Sequence, residues 1–256
     1  MKYKLTKNTK EVNDITLYQI QSLKDFGDVK KGDLGGWIEK EDNLSQEGNC
    51  WVYGDAKVYG DAKVYGDAKV YGDAKVYGDA KVYGDAKVSG NARVYNAWVS
   101  DNAMVYGNAW VFDDARVYGN AWVSGDAKVY DNAKVSGDAR VYGDAKVYDN
   151  AWVSGNARVS GNAWVSGDAK VYDNACVSGN ACVSGNAWQT SPLYIQGTKH
   201  SLTNSKHGYI TIGCKTESID WWLSEEAEKL AKASGYTYGD IQEYKEYINL
   251  IKKVGF

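Results

Sequence analysis

The sequence predicts an all-β solenoid: a single-stranded parallel β-helix of hexapeptide repeats, with a small N-terminal β-cap and a small C-terminal α+β domain. Three observations carry this expectation. From Val52 to Val183, 23 valines recur every six residues with one slip, where Val94-Tyr95 runs straight into Asn96-Ala97 and the period resumes at Val99. An alanine precedes nearly every valine by two positions, and Gly-Asp, Gly-Asn, Asp-Asn or Asp-Asp stands between the pairs. The composition is equally unusual: Gly 28, Tyr 21 and Trp 10 in 256 residues, but Phe 3 and Pro 1, with Val and Ala dominant and Leu scarce. A helical bundle or a doubly wound α/β domain needs large branched side chains to fill its core.

The hexad follows from elementary geometry. Apolar positions at i and i+2, then a gap of four, do not make a 3.6-residue stripe. Residues two apart in an extended chain point to the same side. Ala-x-Val is therefore a short strand with both apolar side chains inward, and the residues beside Val face out. The corner residues Gly, Asp and Asn tolerate positive φ and bond to the local backbone. Ala sits next to the tight corner, while Val fills the side. One such strand buries a single small pair, so it becomes stable only when each turn of chain pairs with the next. Burial contributes about 1.5–3 kcal/mol per valine, most of it offset by chain entropy. From Ser89 to Tyr142 the position after Val alternates between Tyr and Ser or Phe. That rhythm suits a flattened coil of two hexads or an old twelve-residue duplication.

The hexads resemble the repeat of left-handed β-helices, in which an aliphatic residue is followed four positions later by a small one. Val52 with Ala56 fits, as do nearly all later pairs. The next position departs from that pattern: it is usually small or acidic there, and here it is Tyr, Ser or Phe. Asp25-Phe26-Gly27-Asp28-Val29-Lys30-Lys31-Gly32-Asp33-Leu34-Gly35-Gly36-Trp37-Ile38-Glu39 with Asn43-Leu44-Ser45 resembles the opening of the YdcK-like proteins of bacteria and phages. Gly208-Tyr209-Ile210-Thr211-Ile212-Gly213-Cys214, followed by helices, is similar to phage-borne members. The resemblance implies a left-handed β-helix with three hexads per coil and a phage or mobile-element origin. It brings little function, because the group is largely uncharacterised. At about 4.8 Å per coil, the rod would be roughly 36 Å long.

The chain divides into a cap at residues 1–49, the repeats at 50–189 and a C-terminal domain at 190–256. In the cap, Ile15-Thr16-Leu17-Tyr18-Gln19-Ile20 reads as a strand and Gly32 to Gly36 as a turn. In the C-terminal domain, Leu193-Tyr194-Ile195 and Tyr209-Ile210-Thr211-Ile212 read as a hairpin. Ser218 reads as the N-cap of a helix ended by Gly235, with Ile219, Trp222, Leu223, Leu230 and Ala231 on one face. Thr237 with Asp240 opens a second helix, whose Ile241, Tyr244, Ile248 and Ile251 share a face.

Several function classes are excluded or disfavoured. No run of about 18 apolar residues exists, so no transmembrane helix is expected; with no signal-peptide pattern, the expected location is the cytoplasm. Cys50, Cys176, Cys182 and Cys214 form no C-x-x-C pair, so no structural zinc site or other cofactor is expected. Left-handed β-helical acyltransferases use a histidine base on a loop leaving the coil, and general-base catalysis needs such a group within reach of the acceptor. Both histidines here, His200 and His207, lie outside the repeats, and no loop interrupts them. The reading is therefore a non-enzymatic scaffold that binds a protein partner, with a degenerate acyltransferase as the alternative and a homo-oligomer left open. The candidate contact residues are Trp98, Trp110, Trp122, Trp152, Trp164 and Trp188, mixed with Arg116, Arg140 and Arg158, since Trp and Arg are enriched at interface hot spots. Residues 50–189 carry 14 basic and 16 acidic side chains, a net of −2, which disfavours nucleic acid.

Overall fold

The computed structural model describes residues 1–185, 187–188 and 191–254, with the backbone alone at 187 and 188. Strand register decides the size of the coil. Lys57 pairs in parallel with Lys75, and Lys75 with Arg93, so eighteen residues, or three hexads, make one turn. The two-hexad coil is thereby excluded. The rod has three flat faces of eight strands each, which makes about eight coils. The first face runs from Lys57–Val58 to Cys182–Ser184, the second from Lys63–Val64 to Ala187–Trp188, and the third from Trp51–Val52 to Cys176–Val177.

The Val and Ala side chains form one continuous core from Ala56 to Val183, almost without exposure. Glycines at the corners stack on one another from coil to coil. Gly60 has φ +70°, and a Cβ there would stand 3.0 Å from the Gly78 nitrogen. The sequence slip costs the core nothing: Val94, Ala97 and Val99 are all fully buried. It produces one seventeen-residue coil, with Lys81 paired to Trp98. Asn96 turns that corner alone at φ +49°. Its Oδ1 accepts the Asp79 backbone N–H at 2.9 Å.

The N-terminal strands continue the first face. Strand β1 (Tyr3–Val12) pairs antiparallel with β2 (Ile15–Ser22), which pairs antiparallel with β3 (Leu34–Ile38). β3 then pairs in parallel with Lys57–Val58. The expected turn at Gly32 to Gly36 is therefore corrected: Gly32 turns, but Gly35 and Gly36 lie inside a strand. They are glycines because of close approach. A Cβ on Gly36 would fall 2.6 Å from Val52 Cγ1 and 2.7 Å from the Ala56 carbonyl. Below the first coil, Asn43 Nδ2 donates to the carbonyls of Gly60 and Ala62. The buried Lys2 ammonium donates to the Cys50 carbonyl at 2.9 Å and to Cys50 Sγ at 3.2 Å. Trp51, which opens the outward slot in sequence, is buried under Tyr3 and Phe26.

At the other end, Tyr194–Gln196, Ser201–Lys206, Tyr209–Ile212 and Lys215–Ser218 form an antiparallel meander. The expected hairpin of residues 193–195 with 209–212 is corrected, because Ser201–Lys206 pairs between them. The expected first helix is two: α1 (Ile219–Trp222) and α2 (Glu225–Ala233). Ser224 breaks it by accepting the Ala227 N–H and capping α2. α3 (Tyr238–Val254) buries Ile241, Tyr244, Ile248 and Ile251, the face read from the sequence. Ser191 Oγ accepts the Cys176 N–H at 2.8 Å and joins this sheet to the last coil. Among the described residues no helix is long and apolar enough to cross a membrane.

Candidate interaction surface

The outward residue before each valine stacks on its counterpart one coil away, so these residues form three columns. Trp110, Lys128, Lys146 and Trp164 follow one another on the first face. Trp98, Arg116, Lys134 and Trp152 do so on the second. Trp122, Arg140, Arg158 and Cys176 do so on the third. The candidates thus divide among three sides of the rod and do not form one surface. Trp188 departs from the others: its backbone pairs with Val171 and not with Lys170, and its side chain lies outside the described residues.

The columns place cations against rings. Trp98 lies between Lys81 Nζ at 4.7 Å and the Arg116 guanidinium at 4.6 Å. Trp110 lies between Arg93 at 4.7 Å and Lys128 at 5.3 Å. Arg140 covers Trp122 at 4.7 Å, Lys146 covers Trp164 at 4.4 Å and Lys134 approaches Trp152 at 5.9 Å. A cation over an indole face is attracted by the ring quadrupole, by about 0.5–1 kcal/mol at an exposed site. The pairs hold the rings in place, yet Trp110, Trp152 and Trp164 remain 37–42% exposed.

A second set of columns went unread in the sequence. On the first face Tyr59 and Tyr77 stack at 5.1 Å, and Phe112, Tyr130 and Tyr148 at 4.9 and 5.0 Å. Burial in these stacks pushes the phenols of Tyr59, Tyr77 and Tyr130 upward. The available signal was an aromatic residue recurring at a spacing of eighteen.

The C-terminal sheet and helices form an open apolar pocket of about 410 Å³, lined by Ile212, Trp222, Leu230 and Ile248 among others. His200 stands at its wall and shares a hydrogen bond through Nδ1 with the Tyr236 hydroxyl. Burial pushes Tyr236 up to about 12. Tyr244 Oη donates to the His200 carbonyl at 2.7 Å. His207 lies in the next turn, apart from that pair. Cys176 and Cys182 fall on different faces, Cys50 is buried and Cys214 is exposed; all four are free thiols. Among the described residues no group of three or more His, Cys, Asp or Glu could hold a metal ion.

The YdcK β-solenoid repeat family matches residues 97–113, 109–125, 139–155 and 151–167. The chain is a repeat β-helix protein whose later coils are similar to YdcK repeats. The "Uncharacterized acetyltransferase YdcK" of Escherichia coli (strain K12) is 52% identical over 40 residues, which cover 16% of this chain and 12% of that relative. The match thus spans about an eighth of the relative's length. All five tryptophans of the columns fall inside the YdcK-type windows, as do Arg116, Arg140 and Arg158. The identical V-Y-G-D-A-K hexads from Val52 to Lys87 fall outside them.

Proposed function

We propose that this chain is a non-enzymatic β-helical scaffold that binds a protein partner through its Trp- and Arg-bearing rod columns or through its C-terminal domain. The observation that supports this most is the outward slot of the later coils, where exposed indoles sit in fixed cation pairs. Rigid aromatic rings and arginines lose little freedom on association, which is what an interface anchor requires. Six identical hexads also tolerate a spacer or repeated binding role better than a unique reactive centre. A phage or mobile-element origin, a cytoplasmic location and a left-handed winding belong to the same proposal and rest on the resemblance and the sequence pattern. The second reading is acyl transfer, favoured by the name of the YdcK relative. It lacks a histidine or an inserted loop anywhere in the repeats.

Two measurements test the choice. Affinity capture from lysate should yield a protein that is weakened by Trp110→Ala with Trp164→Ala, in a variant that stays folded. A screen with acetyl-CoA should show no transfer; turnover abolished by His200→Ala or His207→Ala would establish the enzymatic reading instead.

A further inference from the structure

Three of the grooves along the rod differ in charge. One of about 640 Å³ sets Asp61, Asp79 and Asp113 among its lysines. A second of about 530 Å³ sets Asp73 beside Lys57, Lys75 and Arg93. The third, about 240 Å³ on the third face, is lined by Tyr106, Trp122, Ser124, Arg140, Tyr142 and Arg158 and contains no carboxylate.

Arg140 and Arg158 are direct partners on adjacent parallel strands, and both side chains are exposed. Like charges placed opposite each other oppose pairing. Arg140 leans over Trp122 at 4.7 Å. Among the described residues neither guanidinium forms an ion pair, every one of which is made by a lysine. Two forked donors therefore stand one strand spacing apart beside three rings, with their charge unanswered. Arginine in this state suits a carboxylate, which accepts two parallel N–H bonds.

We propose that Arg140 and Arg158 anchor an acidic peptide segment of a protein partner, its carboxylates on the guanidiniums and its apolar neighbours on Trp122, Tyr106 and Tyr142. The proposal rests on the interaction-protein reading above and names the chemistry of the partner. The groove falls below the roughly 300 Å³ at which small-molecule pockets begin. Trp122 flanks the two arginines on one side and Cys176 on the other, and the next cation of the column, Lys87, stands beyond Trp122 and Met104, so the local run is two cations long. A nucleic-acid backbone draws its affinity from a long run of cations. Two adjacent acidic side chains match this column better.

The test is fluorescence anisotropy of the full chain with a labelled peptide, Gly-Ser-Tyr-Glu-Glu-Tyr-Gly-Ser. Wild type should bind it, more weakly as salt rises. Arg140→Gln with Arg158→Gln should weaken binding at least about tenfold, the order expected for charge-assisted contacts. Lys4→Gln with Lys7→Gln, two exposed cap lysines outside the rod columns, should leave it unchanged. Circular dichroism checks that both variants stay folded. Absent binding by wild type, equal loss in the lysine variant, or tighter binding of an oligothymidylate of equal charge would overturn the anchor. A lysate partner whose capture survives both arginine changes would also overturn the anchor while leaving the interaction reading in place. Failure of that reading shows differently, as wild type capturing no protein.

Discussion

Deleting Val58 to Lys75 removes eighteen residues, and the register makes that one coil. The new junction, Lys57 to Val76, joins two positions of the same face. Because these hexads are identical, the cap meets the same chemistry as before: Asn43, which holds the carbonyls of Gly60 and Ala62, finds those of Gly78 and Ala80. The rod should shorten by one strand spacing, about 4.8 Å, with the C-terminal domain facing as it did. Deleting Val58 to Lys63 removes one hexad and keeps every valine inward. The rod then leaves the cap one face early, so the C-terminal domain should turn by about a third of a revolution, since solenoids pass an offset along unchanged. Distances between spin labels in the Asn13–Asp14 turn and on α3 would separate the two outcomes, and small-angle scattering would report the length. If the six-residue deletion keeps the original orientation, or the eighteen-residue deletion rotates it, the three-sided nearest-neighbour description is wrong.

Other expectations follow from single contacts. Gly36→Ala should lower stability by about 1–3 kcal/mol through overpacking against Val52 and the Ala56 carbonyl, read as a shift in the denaturation midpoint. A double-mutant cycle of Trp98→Ala with Arg116→Ala should return a coupling of about 0.5–1 kcal/mol; a zero coupling would make that stack incidental. Asp28 accepts hydrogen bonds from Lys69 Nζ and Tyr53 Oη, which hold its carboxyl below the usual value of 3.8. The fold therefore gains from this group above that value and loses the gain as pH falls through the lower folded value. The contact is exposed, so the change should be small, reduced by salt and absent in Asp28→Asn, as followed by proteolysis of the cap.

The legible part of this protein was whatever repeats over six residues. Val and Ala at i and i+2 named the inward side, and the glycines and aspartates named the corners. The α3 face was legible for the same reason, with Ile241, Tyr244, Ile248 and Ile251 at helical spacing. Contacts on the outside of the rod have a period of eighteen, reset to seventeen at Asn96. Read linearly, Trp98 and Arg116 are unrelated residues; folded, they touch. The linear reading therefore names Trp and Arg as candidates without telling which of them share a side of the rod. Strand Ser201–Lys206 was missed because Leu202 is its only large apolar side chain. Gly35 and Gly36 were misread because glycine serves both a turn and a close approach, and only the neighbours Ile20 and Val52 distinguish the two.

The cap has a consequence for how long such an object can grow. Seen from within, the rod is stacked parallel β-structure with valine over valine, the packing by which amyloid filaments elongate. Nothing in the coils sets a limit, since each coil is a template for the next. The limit comes from β3 with the Asn43 and Lys2 contacts at one end, and from the Ser191 and Tyr194 segment at the other. These segments occupy the places where a second molecule would add. A chain trimmed to its coils should therefore be a filament seed, held in check only by its small side chains and by the charges on its corners.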